Sequence, residues 1–320
     1  MTITRREILR IAGGVALLNV LPAAARAAGV RVHTGPAFGS AWRLVLPDTS
    51  EAAGARARLE AVVARVDALM SPFRPDSELA RFNAAGSAVV SRETGFVIRA
   101  SLELAGDSDG AFDPTMAPLG RRYGFGPIAI SPARPAGRYR DLRMAGDMLG
   151  PVPPGLSLDL CGIAKGYALD EIVRALDGLD FLVELGGEVA ARGRHPSGRP
   201  WRMGVERPGT TALQRIVEAD GRALATSGDG AQGYAVGRRR YAHVLDPHSR
   251  TPVDNGVASV SVLAATGLIA DGLATAAMVL GPEDARRLLE ARDASALFLM
   301  RRPAGLEEVD INGFVAGGAS

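Results

Sequence analysis

The chain predicts an α+β fold, a single domain in which mixed or antiparallel sheets pack against helices. Three observations predict it. Segments of helical and of strand period are interleaved without strict β–α–β alternation. No internal repeat or low-complexity linker divides the chain. A hydrophobic content of 47% over 320 residues supports one sizeable core.

Residues 1–27 stand apart as an export signal. Arg5-Arg6, followed by Ile8-Leu9, gives the paired arginines of a twin-arginine signal. A mildly apolar run, Ile11 to Leu21, follows, and Ala25-Arg26-Ala27 supplies a small-x-small cleavage site. The run is too short and Gly-broken for a membrane-spanning helix. The expectation is cleavage near Ala28, a mature domain over residues 28–320 without a stable membrane span, and a periplasmic location. An uncleaved signal acting as a membrane anchor is the alternative.

Elements then follow in order. Trp42 to Leu46 reads as a strand. Ala52 to Met70 reads as an amphipathic helix, with Leu59, Val62, Val63, Val66, Leu69 and Met70 on the 3.6 period. Phe96 to Ala105 is a second helix. Gly126 to Gly155 is a Pro/Gly-rich connection. Leu156 to Leu160 reads as a strand entering a glycine turn. Lys165 to Leu176 is a third helix, with Leu169, Ile172, Val173 and Leu176 on one face and Gly178 as its stop. Phe181 to Leu185 is a buried strand ending at Gly186-Gly187. Trp201 to Val205, Tyr241 to Leu245 and Ser259 to Leu263 are strands, and Arg238-Arg239-Arg240 reads as a hairpin turn. Leu268 to Leu280 is a helix ended by Gly281, and Pro282 opens another over Glu283 to Arg292. Ala296 to Met300 is a late strand.

Composition excludes several functions. Lys and Arg number 37 against 35 Asp and Glu, no basic block exceeds three residues, and aromatics are 5%, so no nucleic-acid face is expected. Cys161 is the only cysteine; it permits no internal disulfide and reads as a small buried residue. H-E-x-x-H and Cys-His metal spacings are absent, as is the P-loop.

Five clusters carry possible chemistry. In Ala270 to Met278, Asp271 and Thr275 lie four residues apart and share a helix face. A carboxylate and a hydroxyl there suit a hard cation such as Mg²⁺; a solvated Asp beside a Thr bonding back to its own helix gives the same pattern. In Asp159 to Tyr167, glycines let backbone approach a ligand and Lys165 suits a phosphate; a glycine turn with a surface lysine fits too. Gly110 to Thr115, with Asp113 before Pro114, is a ligand loop or a tight turn. Ala225 to Asp229 offers hydroxyls to an anion or forms an ST-turn. His243, at the end of the Tyr241 strand, is a core histidine or a proton acceptor. His33, His195 and His248 read as surface.

In this order the clusters resemble the ApbE family of FAD:protein FMN transferases. Met70-Ser71-Pro72-Phe73 through Ser77-Glu78-Leu79 to Phe82-Asn83 is similar to the family's M-S-x-[YFW]-x-x-x-S-E-L-x-x-F-N segment. Gly110 to Pro114 resembles G-A-F-D-P, Asp159 to Asp170 resembles D-L-G-G-I-A-K-G-Y-x-x-D, and Glu184 to Glu188 resembles D-L-G-G-[NE]. Ala225 to Asp229, His243 to Pro247 and Asp271 to Thr275 resemble A-T-S-G-D, H-I-x-D-P and D-x-x-A-T. The resemblance implies a single ApbE-like domain, related to the T-fold. It implies Mg²⁺-dependent transfer of FMN from FAD to a Thr or Ser hydroxyl of an acceptor protein, with release of AMP. It assigns Mg²⁺ to Asp271, Thr275 and the Gly162 carbonyl. FAD falls to Ala111, Phe112, Asp113, Asp159 and Lys165, the flavin to Phe73, the site lining to Leu245, and the base to His243. Acceptors of the family carry an Asp-Gly-x-[Thr/Ser]-Gly-Ala-[Thr/Ser]-type segment.

The chain departs from the family pattern in places. Phe38 stands near the flavin where the family has Met, and Cys161 replaces a Gly. His248-Ser249-Arg250 replaces a basic-Thr-Gly turn, and Gly230 replaces an aromatic. An FAD pyrophosphatase yielding free FMN and AMP, or a non-catalytic periplasmic flavin-binding protein, would use the same residues.

Overall fold

The computed structural model describes residues 29–49, 52–126, 138–229, 234–236 and 239–314, with backbone alone for the strand residues 234–236 and 239–241. The export signal, Gly230 and Arg238 lie outside the described residues. Helices and sheets are mixed as α+β, with six α-helices among the described residues and antiparallel strand pairing.

The main sheet grows from β1 (Val30–Ala37) and β2 (Ser40–Pro47), then β6 (Phe181–Leu185), β7 (Glu188–Arg192), β10 (Ala223–Gly228), β15 (Val257–Ala264), β16 (Ser295–Arg302) and β17 (Gly305–Ile311). Its order is β1-β2-β6-β7-β10-β15-β16-β17, antiparallel throughout. Central β15 is buried along its whole length, as a strand covered on both faces must be. Alternation sorts the side chains: Phe298 faces the helices, whereas Leu297 and Leu299 face the opposite layer. That opposite layer is a hairpin of β8 (Arg202–Glu206) and β9 (Leu213–Glu218), which contributes Met203, Val205 and Val217. The β1–β2 turn has Phe38 at φ 50° and Gly39 at φ 77°, the two positive values a two-residue type I′ hairpin needs.

The helical layer holds α1 (Ala55–Met70), α2 (Glu78–Ala85), α3 (Arg92–Asp107), α4 (Ala117–Arg122), α5 (Ala164–Ala175) and α6 (Gly267–Ala291). A small sheet orders as β3 (Ala88–Val89), β5 (Met148–Leu149) and β4 (Met144–Ala145). Of the expected periodic positions of α1, Leu59, Val62, Val63, Val66 and Met70 are buried and Leu69 is half-buried. The second helix is longer than its apolar period, because the Ser91 side chain accepts Thr94 N–H and starts α3 earlier. Helix α6 breaks where expected: Gly281 sits at φ 76°, Pro282 follows, and Asn255 Nδ2 donates to the Met278 and Val279 carbonyls at 3.1 and 3.0 Å.

Two expected strands differ. Leu156 to Leu160 has no strand partner. Asn83 stands in for one: its Oδ1 accepts Leu158 N–H at 2.8 Å and its Nδ2 donates to Leu158 O at 2.9 Å. The Tyr241 to Leu245 strand is two short ones, β12 (Arg239–Tyr241) pairing with β11 (Tyr234–Val236), and β13 (Leu245–Asp246) pairing with β14 (Thr251–Pro252). His243 therefore lies in the bend between them rather than on a strand. Arg239 and Arg240, expected in a hairpin turn, belong to β12. Two burial expectations also reverse. His195 is 8% exposed, edge-on to Trp201 with ring centroids 5.2 Å apart, because Ser197 Oγ satisfies its Nδ1 at 2.8 Å. Cys161 is exposed, since the turn that carries it projects from the α5 start. Among the described residues no helix is long and apolar enough to cross a membrane.

Candidate active site

The site forms where the first turns of α5 and α6 meet. Two glycines allow the contact: a Cβ on Gly166 would lie 2.2 Å from Gly267 O, and one on Gly267 would lie 2.6 Å from Gly166 O. Asp170, one turn along α5, caps α6. Its Oδ1 accepts Gly267 N–H at 2.6 Å and its Oδ2 accepts Leu268 N–H at 2.9 Å. These satisfy two of the N–H groups that a helix start leaves open.

This junction aims three oxygen groups together. Asp271, 3% exposed, accepts Gly166 N–H through Oδ2 at 2.9 Å. Thr275 Oγ1, one turn further along α6, donates to Gly162 O at 3.3 Å. Gly162 has no room for a side chain: its Cβ would lie 3.1 Å from Thr275 Oγ1 and 3.3 Å from the Phe112 ring. Thr275 thus meets Gly162, and Asp271, one turn earlier on α6, meets Gly166, each across more than a hundred residues of chain. Among the described residues, no three His, Cys, Asp or Glu side chains cluster as a metal site. The set here is one carboxylate, one hydroxyl and one carbonyl.

Lys165 covers it. Its Nζ donates to Glu188 Oε1 and stands 3.6 Å from Asp271 Oδ1. Burial opposes the lysine charge, but Asp271 and Glu188 outweigh it and raise its pKa. Burial pushes the Glu188 carboxyl up; Lys165 works against this and Asp271 adds to it. Glu188 starts β7 after Gly186 and Gly187, at φ 66° and 110°. The β1–β2 hairpin closes this side, because Gly186 N–H donates to Ala41 O at 3.0 Å and Ser40 Cβ flanks Gly186. Phe38, half-buried on the core, caps that hairpin.

The remaining expected residues fall into two groups. Ala111 and Phe112 are buried beside the glycine turn, and Asp159 N–H donates to Pro114 O at 2.7 Å, tying both loops together. The Asp159 carboxylate accepts Cys161 N–H at 2.8 Å, and Asp113 accepts Thr115 N–H, Thr115 Oγ1 and Tyr139 N–H at 2.8, 2.6 and 3.2 Å. Burial raises the Asp113 pKa against those bonds. Both carboxylates therefore shape their loops. Phe73 stands apart at 64% exposure, its N–H 3.3 Å from Ser71 Oγ. Leu245 packs with Leu119, Met116 and Tyr123 in a satellite cluster. His243 lies edge-on to Phe125 with centroids 6.4 Å apart, and its Nδ1 is buried without a hydrogen-bond partner. Burial, with the Lys165 charge, pushes its pKa down to about 4, while Asp229 opposes the shift. Asp229 is itself gripped by Arg301, at 3.0 Å from Nε and 2.7 Å from Nη2.

Asp170, Asn83, Gly166 and Glu188 carry roles that their spacing in the sequence does not reveal. Each acts through a partner far away in sequence. The segment that carries Phe73 is also architectural. Ser77 caps α2 through Ala80 N–H at 2.9 Å. Glu78 Oε2 accepts from Ser91 N–H, Ser91 Oγ and Thr94 Oγ1 at 3.1, 2.9 and 2.7 Å.

Residues 38–298 match the model of the ApbE family. A Vibrio cholerae protein named FAD:protein FMN transferase is 33% identical over 306 residues, 89% of this chain and 92% of its own length. Its Escherichia coli K12 counterpart, of the same name, is 31% identical over 305 residues, 88% of this chain and 87% of that protein. The apo crystal structure of the Pseudomonas stutzeri flavinyl transferase ApbE superposes with a TM-score of 0.79 at 35% identity, over 91% of this chain and 97% of that one. The chain belongs to the ApbE family, a family of transferase enzymes.

Proposed function

We propose that this protein transfers FMN from FAD to a Thr or Ser hydroxyl of an acceptor protein, with Mg²⁺ as cofactor and AMP as leaving product. The observation that carries the reading is the meeting of Gly162 O, Thr275 Oγ1 and Asp271 beside Lys165. The donor set fits the ion. Mg²⁺ takes oxygen ligands about 2.1 Å away at near-octahedral angles, which puts neighbouring ligand oxygens roughly 3 Å apart. Thr275 Oγ1 and Gly162 O stand 3.3 Å apart. Two or three protein oxygens leave positions for water and phosphate oxygens.

The names of the relatives, FAD:protein FMN transferases, support FAD as donor. The ion, when bound, would neutralise the diphosphate and the departing phosphate. Lys165 supplies a fixed positive charge next to it. Ala111, Phe112, Asp113 and Asp159 form the paired loops against which FAD would lie, with Phe38, Phe73 and Leu245 at its periphery. The acceptor hydroxyl oxygen bonds to the FMN phosphorus, the bond from that phosphorus to the AMP phosphate oxygen breaks, and AMP carries the electron pair away. His243 takes the hydroxyl proton. Its lowered pKa keeps it uncharged near neutral pH, and its partnerless Nδ1 leaves the ring free of a competing bond. The paired arginines and small-x-small motif support action on a periplasmic acceptor.

Mass spectrometry of a candidate extracytoplasmic acceptor after incubation with FAD and Mg²⁺ tests the reading. Added FMN on a Thr or Ser supports it, with loss of labelling in Asp271→Ala. His243→Ala should retain FAD binding and lose transfer by about 10²–10⁴-fold. Rapid FMN and AMP release without acceptor would instead show a pyrophosphatase. Stable bound FAD that survives Mg²⁺ and acceptor would show a flavin-binding protein.

A further inference from the structure

Lys165 stands between two buried carboxylates. Glu188 and Asp271 have side chains only 2% and 4% exposed, while the lysine side chain above them is 28% exposed. Asp271 Oδ2 is held by Gly166 N–H, so Oδ1 is the oxygen turned toward a charge. That charge at present is Lys165, at 3.6 Å, an ion contact and not a hydrogen bond. The hydrogen bond of Lys165 goes to Glu188 Oε1 instead, and Glu188 Oε2 is buried without a partner. Gly186 lies alongside both groups: a Cβ there would be 3.5 Å from Lys165 Cδ and 3.8 Å from Glu188 Oε2.

A divalent cation at Asp271 and the Lys165 ammonium seek the same oxygen, and like charges a few ångströms apart repel strongly in a buried setting. We propose that Glu188 is a positioning residue that draws Lys165 off Asp271 and so keeps Asp271 Oδ1 available to a divalent cation. As a cation arrives, Lys165 turns its remaining N–H groups onto Glu188 Oε2, which has a vacant acceptor position. Without the Glu188 charge, Asp271 becomes the one carboxylate paired with the lysine among the described residues, and a cation must displace it. This inference rests on Asp271 being a cation ligand, as proposed above.

The test is equilibrium titration of the intact protein with Mn²⁺, FAD absent, read by the electron paramagnetic resonance signal of the free ion. Thermal unfolding confirms that each variant is folded. Glu188→Gln is expected to raise the Mn²⁺ dissociation constant about tenfold, and Lys165→Met to lower it. The double variant should return to within about threefold of wild type, a rescue that a merely structural Glu188 would not give. Wild-type binding by Glu188→Gln, or a double variant as weak as Glu188→Gln, overturns the proposal. Asp271→Asn separates the two readings. If it binds Mn²⁺ like wild type, the cation site itself is elsewhere and both fall. If it alone loses binding, the site stands and the role of Glu188 does not.

Discussion

The Asp170 carboxylate accepts the backbone N–H of Gly267 at 2.6 Å, so α5 holds the first turn of α6 and with it the direction in which Asp271 points. The bond spans two elements that approach closely enough to exclude any Cβ at Gly166.

Asp170→Ala removes both charge-assisted bonds to α6. Each hydrogen bond to a charged group contributes about 1.5–3 kcal/mol, and two helix N–H groups would lose their partner. Urea unfolding should show a loss of roughly 3 kcal/mol. Asp170→Asn keeps one acceptor and should lose about half as much.

Gly166→Ala would set a methyl group 2.2 Å from Gly267 O and 2.7 Å from Asp271 Cβ. Both are backbone or near-backbone positions, so neither yields cheaply. The helices must separate, costing about 1–3 kcal/mol or more. Denaturation should report that loss, and labelling of the acceptor should fall with it, since Asp271 moves. Gly178→Ala, in open space at φ 81°, should cost only about 1 kcal/mol and leave labelling intact.

Asn83 serves Leu158 as a strand would. Asn83→Asp keeps the acceptor for Leu158 N–H but replaces the donor to Leu158 O with a carboxylate oxygen. The two oxygens repel, and an unsatisfied half-buried carbonyl costs about 1–3 kcal/mol. Hydrogen exchange of the 156–160 amides should accelerate in Asn83→Asp and more so in Asn83→Ala.

His243 gives the pH signature. Its pKa is about 4 folded against an ordinary 6.5, so between those values the unfolded chain binds more protons. Stability from this site is complete above about pH 6.5 and declines as pH falls toward 4. At pH 5 the penalty is on the order of 1–2 kcal/mol. His243→Gln should shrink the difference between urea stabilities at pH 7.5 and pH 5 by that amount. An unchanged difference would mean that the ring is solvated in the folded protein.

Local chemistry was written plainly in the sequence. Apolar period located α1, α3 and α5, Gly281-Pro282 located the break in α6, and alternation located β2, β6 and β15, because these depend on neighbours within a few residues. The residue types of the site were visible for the same reason: Asp271 and Thr275 share a helix face by spacing alone. Their meeting with Gly162 was not visible, since it depends on the Gly166–Gly267 contact and on Asp170 capping a helix about a hundred residues away. Leu156 to Leu160 looked like a strand because apolar alternation cannot tell a strand neighbour from an asparagine side chain. His243 looked like a strand residue because the bend after β12 carries no Gly or Pro. Spacing fixed which groups exist and which face they share; only the packed chain decided which carboxylate holds the lysine, which caps a helix, and which accepts a backbone N–H across the helix junction, because those roles are set by what burial brings within a few ångströms.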